Sequence, residues 1–96
     1  MSYIASTARV EKTVLVWHDA QVIEYATVKG SVTLLGQTIV KGNAYLSGHV
    51  WISGMSMVQD HVRLTGALTV HNTVIRGDVA MDKGHLYDIY WWKNIP

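Results

Sequence analysis

The 96-residue chain has no cysteine, so neither a disulfide framework nor a thiolate zinc site is available to it, and its redox compartment stays open. Charge of one sign is also missing: 8 Lys and Arg stand against 7 Asp and Glu, a formal +1. That balance, spread along the chain, argues against a phosphate-binding stripe and against an acidic nucleic-acid mimic. No apolar run approaches the roughly 18 residues of a membrane span. The start, MSYIASTARVEK, lacks the basic and apolar regions of a secretory signal. These absences predict a soluble, cytoplasmic, unprocessed protein, with a virion-associated location left open. Charged residues amount to only 16%, against 49% hydrophobic, which is ample for a core and suits one domain at this length.

What the chain does have is a repeat. Counting by sixes from Ile4 returns an aliphatic residue every time: Ile4, Val10, Val16, Val22, Val28, Leu34, Val40, Leu46, Ile52, Val58, Leu64 and Val70. Two residues before each stands a second, usually smaller side chain, such as Ala8, Val14, Ala20 and Ala26. Alternation at that spacing puts both on one face of an extended strand. The frame slips once, because Val70 is followed by Thr73 and Ile75, and the six-step then resumes with Val79 and Met81. A one-residue deletion at a corner explains the slip.

Glycine falls at a fixed phase, two residues after the large aliphatic: Gly30, Gly36, Gly42, Gly48, Gly54, Gly66 and Gly77, with Asp60 and Asn72 filling two gaps. Those are the residue types that a corner with positive φ tolerates best. Stacked at a spacing of 18, the smaller inward residues form uniform columns: Ala8, Ala26, Ala44, Val62; then Val14, Val32, Val50, Leu68; then Ala20, Thr38, Ser56. The prediction is all-β: a triangular solenoid with three short faces per 18-residue coil, four to five coils, and parallel pairing between coils, about 22 Å tall. An antiparallel meander would need irregularly spaced hairpin turns that the constant six-step does not supply.

The run Val40-Lys-Gly-Asn-Ala-Tyr-Leu46-Ser-Gly-His-Val-Trp-Ile52-Ser-Gly resembles the hexapeptide-repeat proteins, and the resemblance covers about residues 2 to 83. It implies a single-stranded left-handed parallel β-helix. Hexapeptide acyltransferases often carry glycine directly after the aliphatic, whereas here it falls one residue later. The pattern is closer to the plain Ala-x-Val-x-Gly-x arrays of bacterial and phage proteins. Residues 1–83 are therefore read as the β-helix and 84–96 as an aromatic C-terminal cap or tail, holding Tyr87, Tyr90, Trp91 and Trp92. A solenoid needs its ends covered, and buried aromatic area suits that task.

Outward positions carry the functional signal. One face shows Leu15 and Trp51 with Trp17 and Leu35 beside them, and another shows Gln21, Ile39, Met57 and Val74. Contiguous apolar surface marks an interface. With the tail residues Tyr90, Trp91 and Trp92, these are the expected interaction residues. The partner is a protein of unspecified identity, or further copies of the chain as a dimer or trimer.

Candidate chemistry is thin. His18, His49, His61 and His71 occupy different phases of the repeat and His85 lies in the tail, so no single-chain three-histidine site assembles and neither metal nor cofactor is expected. The column Tyr25, Asn43, His61, Asp78 sets a carboxylate beyond an imidazole, making His61 and Asp78 the weak candidates for general-base chemistry. Uninterrupted repeat from Ile4 to Met81 leaves no inserted loop to shape a pocket. Scattered Arg9, Arg63 and Arg76 make no nucleic-acid track. The expectation is a non-enzymatic, rigid interaction or assembly module, of the kind a small phage protein uses to dock on and block a host macromolecule. The alternative is a minimal trimeric hexapeptide enzyme, carbonic-anhydrase-like or acyltransferase, with its site between subunits.

Overall fold

Short extended segments alternate with tight corners throughout the computed structural model, which describes residues 2–88 and 92–93. The first coil holds β1 (Tyr3–Ile4), β2 (Arg9–Val10) and β3 (Leu15–Val16); the second β4 (Gln21–Val22), β5 (Thr27–Val28) and β6 (Thr33–Leu34). The third has β7 (Ile39–Val40), β8 (Tyr45–Leu46) and β9 (His49–Ser53). In the fourth, β10 (Met57–Val58) is followed by β11 (Arg63–His71), and the fifth has β12 (Val74–Arg76) and β13 (Ala80–Tyr87), with β14 (Trp92–Lys93) beyond. All pairings are parallel, coil upon coil, in about 5 turns. The fold is a parallel β-helix, as the repeat predicts.

Three faces result. The first stacks β1, β4, β7, β10, β12 and β14. The second stacks β2, β5, β8 and the starts of β11 and β13; the third stacks β3, β6, β9 and their ends. The step between coils is 18 residues where Gln21 faces Ile39 and Ile39 faces Met57, and 17 where Met57 faces Val74. The missing residue falls at the Asn72 corner, where the slip is read from sequence.

A second residue is missing further on, and the six-step does not reveal it. Leu64 faces Met81 but Ala67 faces Lys83, so the fifth coil cuts the corner above Gly66 one residue short. The carbonyl oxygen of Asp82 lies 2.0 Å from where a Gly66 Cβ would stand, so only glycine fits beneath this shortcut. As a consequence β13 crosses the expected boundary at 83/84 and keeps pairing to Tyr87, with Leu86 buried at 4%. Residues 84–87 are therefore solenoid, and β14 adds a rung on β12. Tyr90 and Trp91 lie outside the described residues.

The core is the column of inward residues. Val22, Val28, Leu34, Val40, Leu46, Ile52, Val58, Leu64, Val70 and Ile75 are fully buried, each above its counterpart one coil below. The buried hydroxyls are satisfied locally: Thr38 Oγ1 donates to the Leu35 carbonyl at 2.7 Å and Ser56 Oγ to that of Ser53 at 2.9 Å. The two ends differ. Ile75, Val79 and Leu86 of the fifth coil are buried, whereas Ile4 of the first is 46% exposed and Val10 and Val16 are half-buried.

Corners use two devices. In one, glycines stack directly with φ of +83°, +90° and +90° at Gly30, Gly48 and Gly66. In the other, a non-glycine residue adopts positive φ and its side chain accepts the N–H of the corner glycine in the next coil. Glu24 Oε1 takes Gly42 N at 2.8 Å, His18 Nδ1 takes Gly36 N at 3.3 Å, and Asp60 Oδ2 takes Gly77 N at 3.1 Å. His18 and Glu24 hold these positions without being glycine, asparagine or aspartate. The hydrogen bond offsets the strain of the left-handed backbone.

Candidate functional site

Parallel register assembles the third face into columns. Leu15, Thr33, Trp51, Thr69 and His85 point outward from successive coils. Beside them stand Trp17, Leu35, Ser53, His71 and Tyr87. Leu15 is 45% exposed, Trp17 56%, Trp51 47% and Tyr87 53%. Leu15, Trp17, Leu35 and Trp51 thus share one continuous surface, as their phases predict. His85 and Tyr87 join it, which sequence reasoning missed because it placed both in a separate tail. The signal was present: Leu86 lies 16 residues after Val70, at the inward phase once two residues are removed.

The upper half of this face is rich in polar aromatic groups. Ser53 Oγ and His71 Nδ1 are 2.8 Å apart, which ties the third coil to the fourth. The His71 ring centroid is 6.3 Å from that of Tyr87, and His85 stacks on Tyr87 at 6.2 Å with the planes only 4° apart. The serine–histidine distance is that of a nucleophile and its base, yet the pair sits on an outward-facing surface. The adjoining groove, lined by Thr33, His49, Trp51, Thr69 and His85, is open to solvent rather than enclosed. Such a surface offers contact area and hydrogen bonds more than a reaction chamber.

The first face holds Ile39, Met57 and Val74 in one column, half-buried by their neighbours, with Gln21 and the 57% exposed Tyr3 below. Trp92 is in the strand that extends this face upward. Between Met55, Asn72, Val74 and Asp88 runs a further open groove along its edge.

On the second face Tyr45 sits between Thr27 below and Arg63 above. Lys29 Nζ lies 5.2 Å from its ring centroid and the Arg63 guanidinium 5.5 Å, so the ring carries two cations. The hydrogen bond from Lys29, then that from Ser47, holds the Tyr45 phenol below its ordinary pKa, and the same contact holds Lys29 above its own. Column stacking made Arg63 over Tyr45 legible, but Lys29 reaches it diagonally from the neighbouring column.

His61 and Asp78 come to the same corner: His61 N donates to the Gly77 carbonyl at 3.2 Å, which sets Asp78 opposite His61. Both side chains are exposed to solvent. Among the described residues no three His, Asp or Glu side chains converge as a metal site would require, and no helix is long and apolar enough to cross a membrane.

Comparison of the chain with protein-family models, with curated proteins and with solved structures returns no match.

Proposed function

We propose that the chain is a non-enzymatic, rigid interaction module that docks through its third face. The observation that carries this reading is the surface of exposed Leu15, Trp17 and Trp51 with half-buried Leu35 among them, which no element among the described residues covers. Tryptophan and tyrosine surrounded by uncharged neighbours supply most of the energy in protein interfaces. The backing is stiff, since coils locked by continuous ladders lose little freedom on binding. Resemblance to the small hexapeptide-repeat arrays of phage proteins, together with a surface of open grooves, favours docking on and obstruction of a host macromolecule.

Trp51→Ala tests the reading. The variant is expected to lose retention of the partner protein by the immobilised chain while its thermal midpoint stays within a few degrees of the parent, because exposed substitutions typically change stability by about 0.5 kcal/mol or less. Unchanged capture would contradict it. So would stoichiometric zinc in the freshly purified protein, or an enzymatic activity lost on His61→Ala with the fold retained.

A further inference from the structure

We propose that Tyr45, on the second face, is a nucleophilic modification site: its phenol oxygen takes the transferred group from electrophiles with an anionic leaving group, such as sulfonyl fluorides, ahead of Tyr3, Tyr25 and Tyr87. The site is independent of the third face and its partner. Parallel register builds it. Tyr45 pairs with Thr27 of the coil below and Arg63 of the coil above, and Tyr45 N donates to the Val62 carbonyl at 2.9 Å, which fixes where the side chain starts. Lys29 Nζ then stands 5.2 Å from the ring centroid and the Arg63 guanidinium 5.5 Å, one cation from the coil on each side.

The acidic groups of this face do not come between those cations and the ring. Glu11 Oε1 accepts from Gly30 N at 3.1 Å, which turns its carboxylate to the corner glycine, and Asp82 lies in the fifth coil, beyond Arg63. Arg9 is two coils below Tyr45. The hydrogen bond from Lys29, then that from Ser47, holds the phenol below its ordinary pKa. The same bond to Tyr45, with a smaller contribution from the Glu11 charge, holds Lys29 above its own. Phenolate is thus made available as the nucleophile while the neighbouring lysine stays protonated and inert.

An ordinary phenol is only about 0.1% ionised near neutrality, so this environment decides reactivity. The phenol proton passes to water and the phenolate oxygen attacks the sulfonyl sulfur; the O–S bond forms as the S–F bond breaks, fluoride departs, and nothing is oxidised or reduced. Lys29 and Arg63 offer the departing anion N–H donors. Accessibility alone gives a different order of reaction. Tyr25 is 68% exposed, Tyr3 57% and Tyr87 53%, whereas Tyr45 is half-buried, yet among the described residues no lysine or arginine lies over those three rings.

Limited reaction of the folded chain with an arylsulfonyl fluoride at neutral pH, read by peptide mass spectrometry, tests the assignment. The first adduct is expected on Tyr45, formed about tenfold or more faster than that on Tyr25. Lys29→Met is expected to slow Tyr45 labelling several-fold without slowing Tyr25. Lys29→Arg, which keeps the charge and the donors, is expected to retain it, a contrast that impaired folding would not produce. Tyr45→Phe should remove the first adduct and leave the other rates in place. Tyr3, Tyr25 or Tyr87 reacting first, an adduct on Lys29 in place of Tyr45, or equal Tyr45 labelling in the parent and Lys29→Met would each overturn the proposal.

Discussion

Glycine at a corner of this solenoid is held there by its neighbour one coil away as much as by its own backbone. Gly48 has φ +90°, and a Cβ built on it would lie 2.6 Å from the backbone nitrogen of Gly66. Gly48→Ala therefore combines left-handed strain with a backbone clash, and is expected to cost about 3 kcal/mol or more and to lower the thermal midpoint by at least about 10 °C. Glu24→Ala removes a single exposed hydrogen bond to Gly42 N and should cost about 1 kcal/mol. Calorimetry of the two variants checks the difference, and equal effects would show that the stacked glycines are not the tighter restraint. The phase of the glycines was readable from sequence alone. What was hidden was the role of His18 and Glu24, because their left-handed corners depend on an acceptor reaching the coil above, and nothing in residue type announces that reach.

Elements in this fold are two-residue strands made stable by their place in a ladder, so side-chain columns rather than strand propensities carry the specificity. Tyr45 on β8 illustrates this, flanked by Lys29 just after β5 and by Arg63 on β11. With its phenol pKa lowered and the lysine pKa raised, the pairing favours the folded state most at alkaline pH, where the phenol is ionised and the ammonium still charged. That contribution is lost as pH falls through the lowered Tyr45 value, and lost again as pH rises through the raised Lys29 value. Ultraviolet titration should show Tyr45 ionising below the ordinary phenol range, and Lys29→Met should remove that early component. Absence of the early component in the parent chain would contradict the contact. The strands themselves, and the deletion near Asn72, were legible because aliphatics recur by sixes. The second deletion was not, because Asp82-Lys83 replaces the glycine that marks other corners and the shortcut over Gly66 appears only when coils are stacked. For that reason His85 and Tyr87 were assigned to a tail when they belong to the third face.

Across the described molecule the two ends and three faces are unequal. The fifth coil is closed over Ile75, Val79 and Leu86, while the first leaves Ile4, Val10 and Val16 partly open. An end offers only a narrow rim, whereas the third face offers a broad sheet with Leu15, Trp17 and Trp51 exposed on it. Both apolar faces were visible as sequence phases, but the places of His85 and Tyr87 on the third were not, since they depend on the shortened fifth coil. The most direct measurement compares retention of protein by the immobilised parent chain and by its Trp51→Ala variant from the same cell extract. The parent is expected to retain a protein that the folded Trp51→Ala variant does not. Equal retention by both chains would contradict the assignment of the third face as the docking surface.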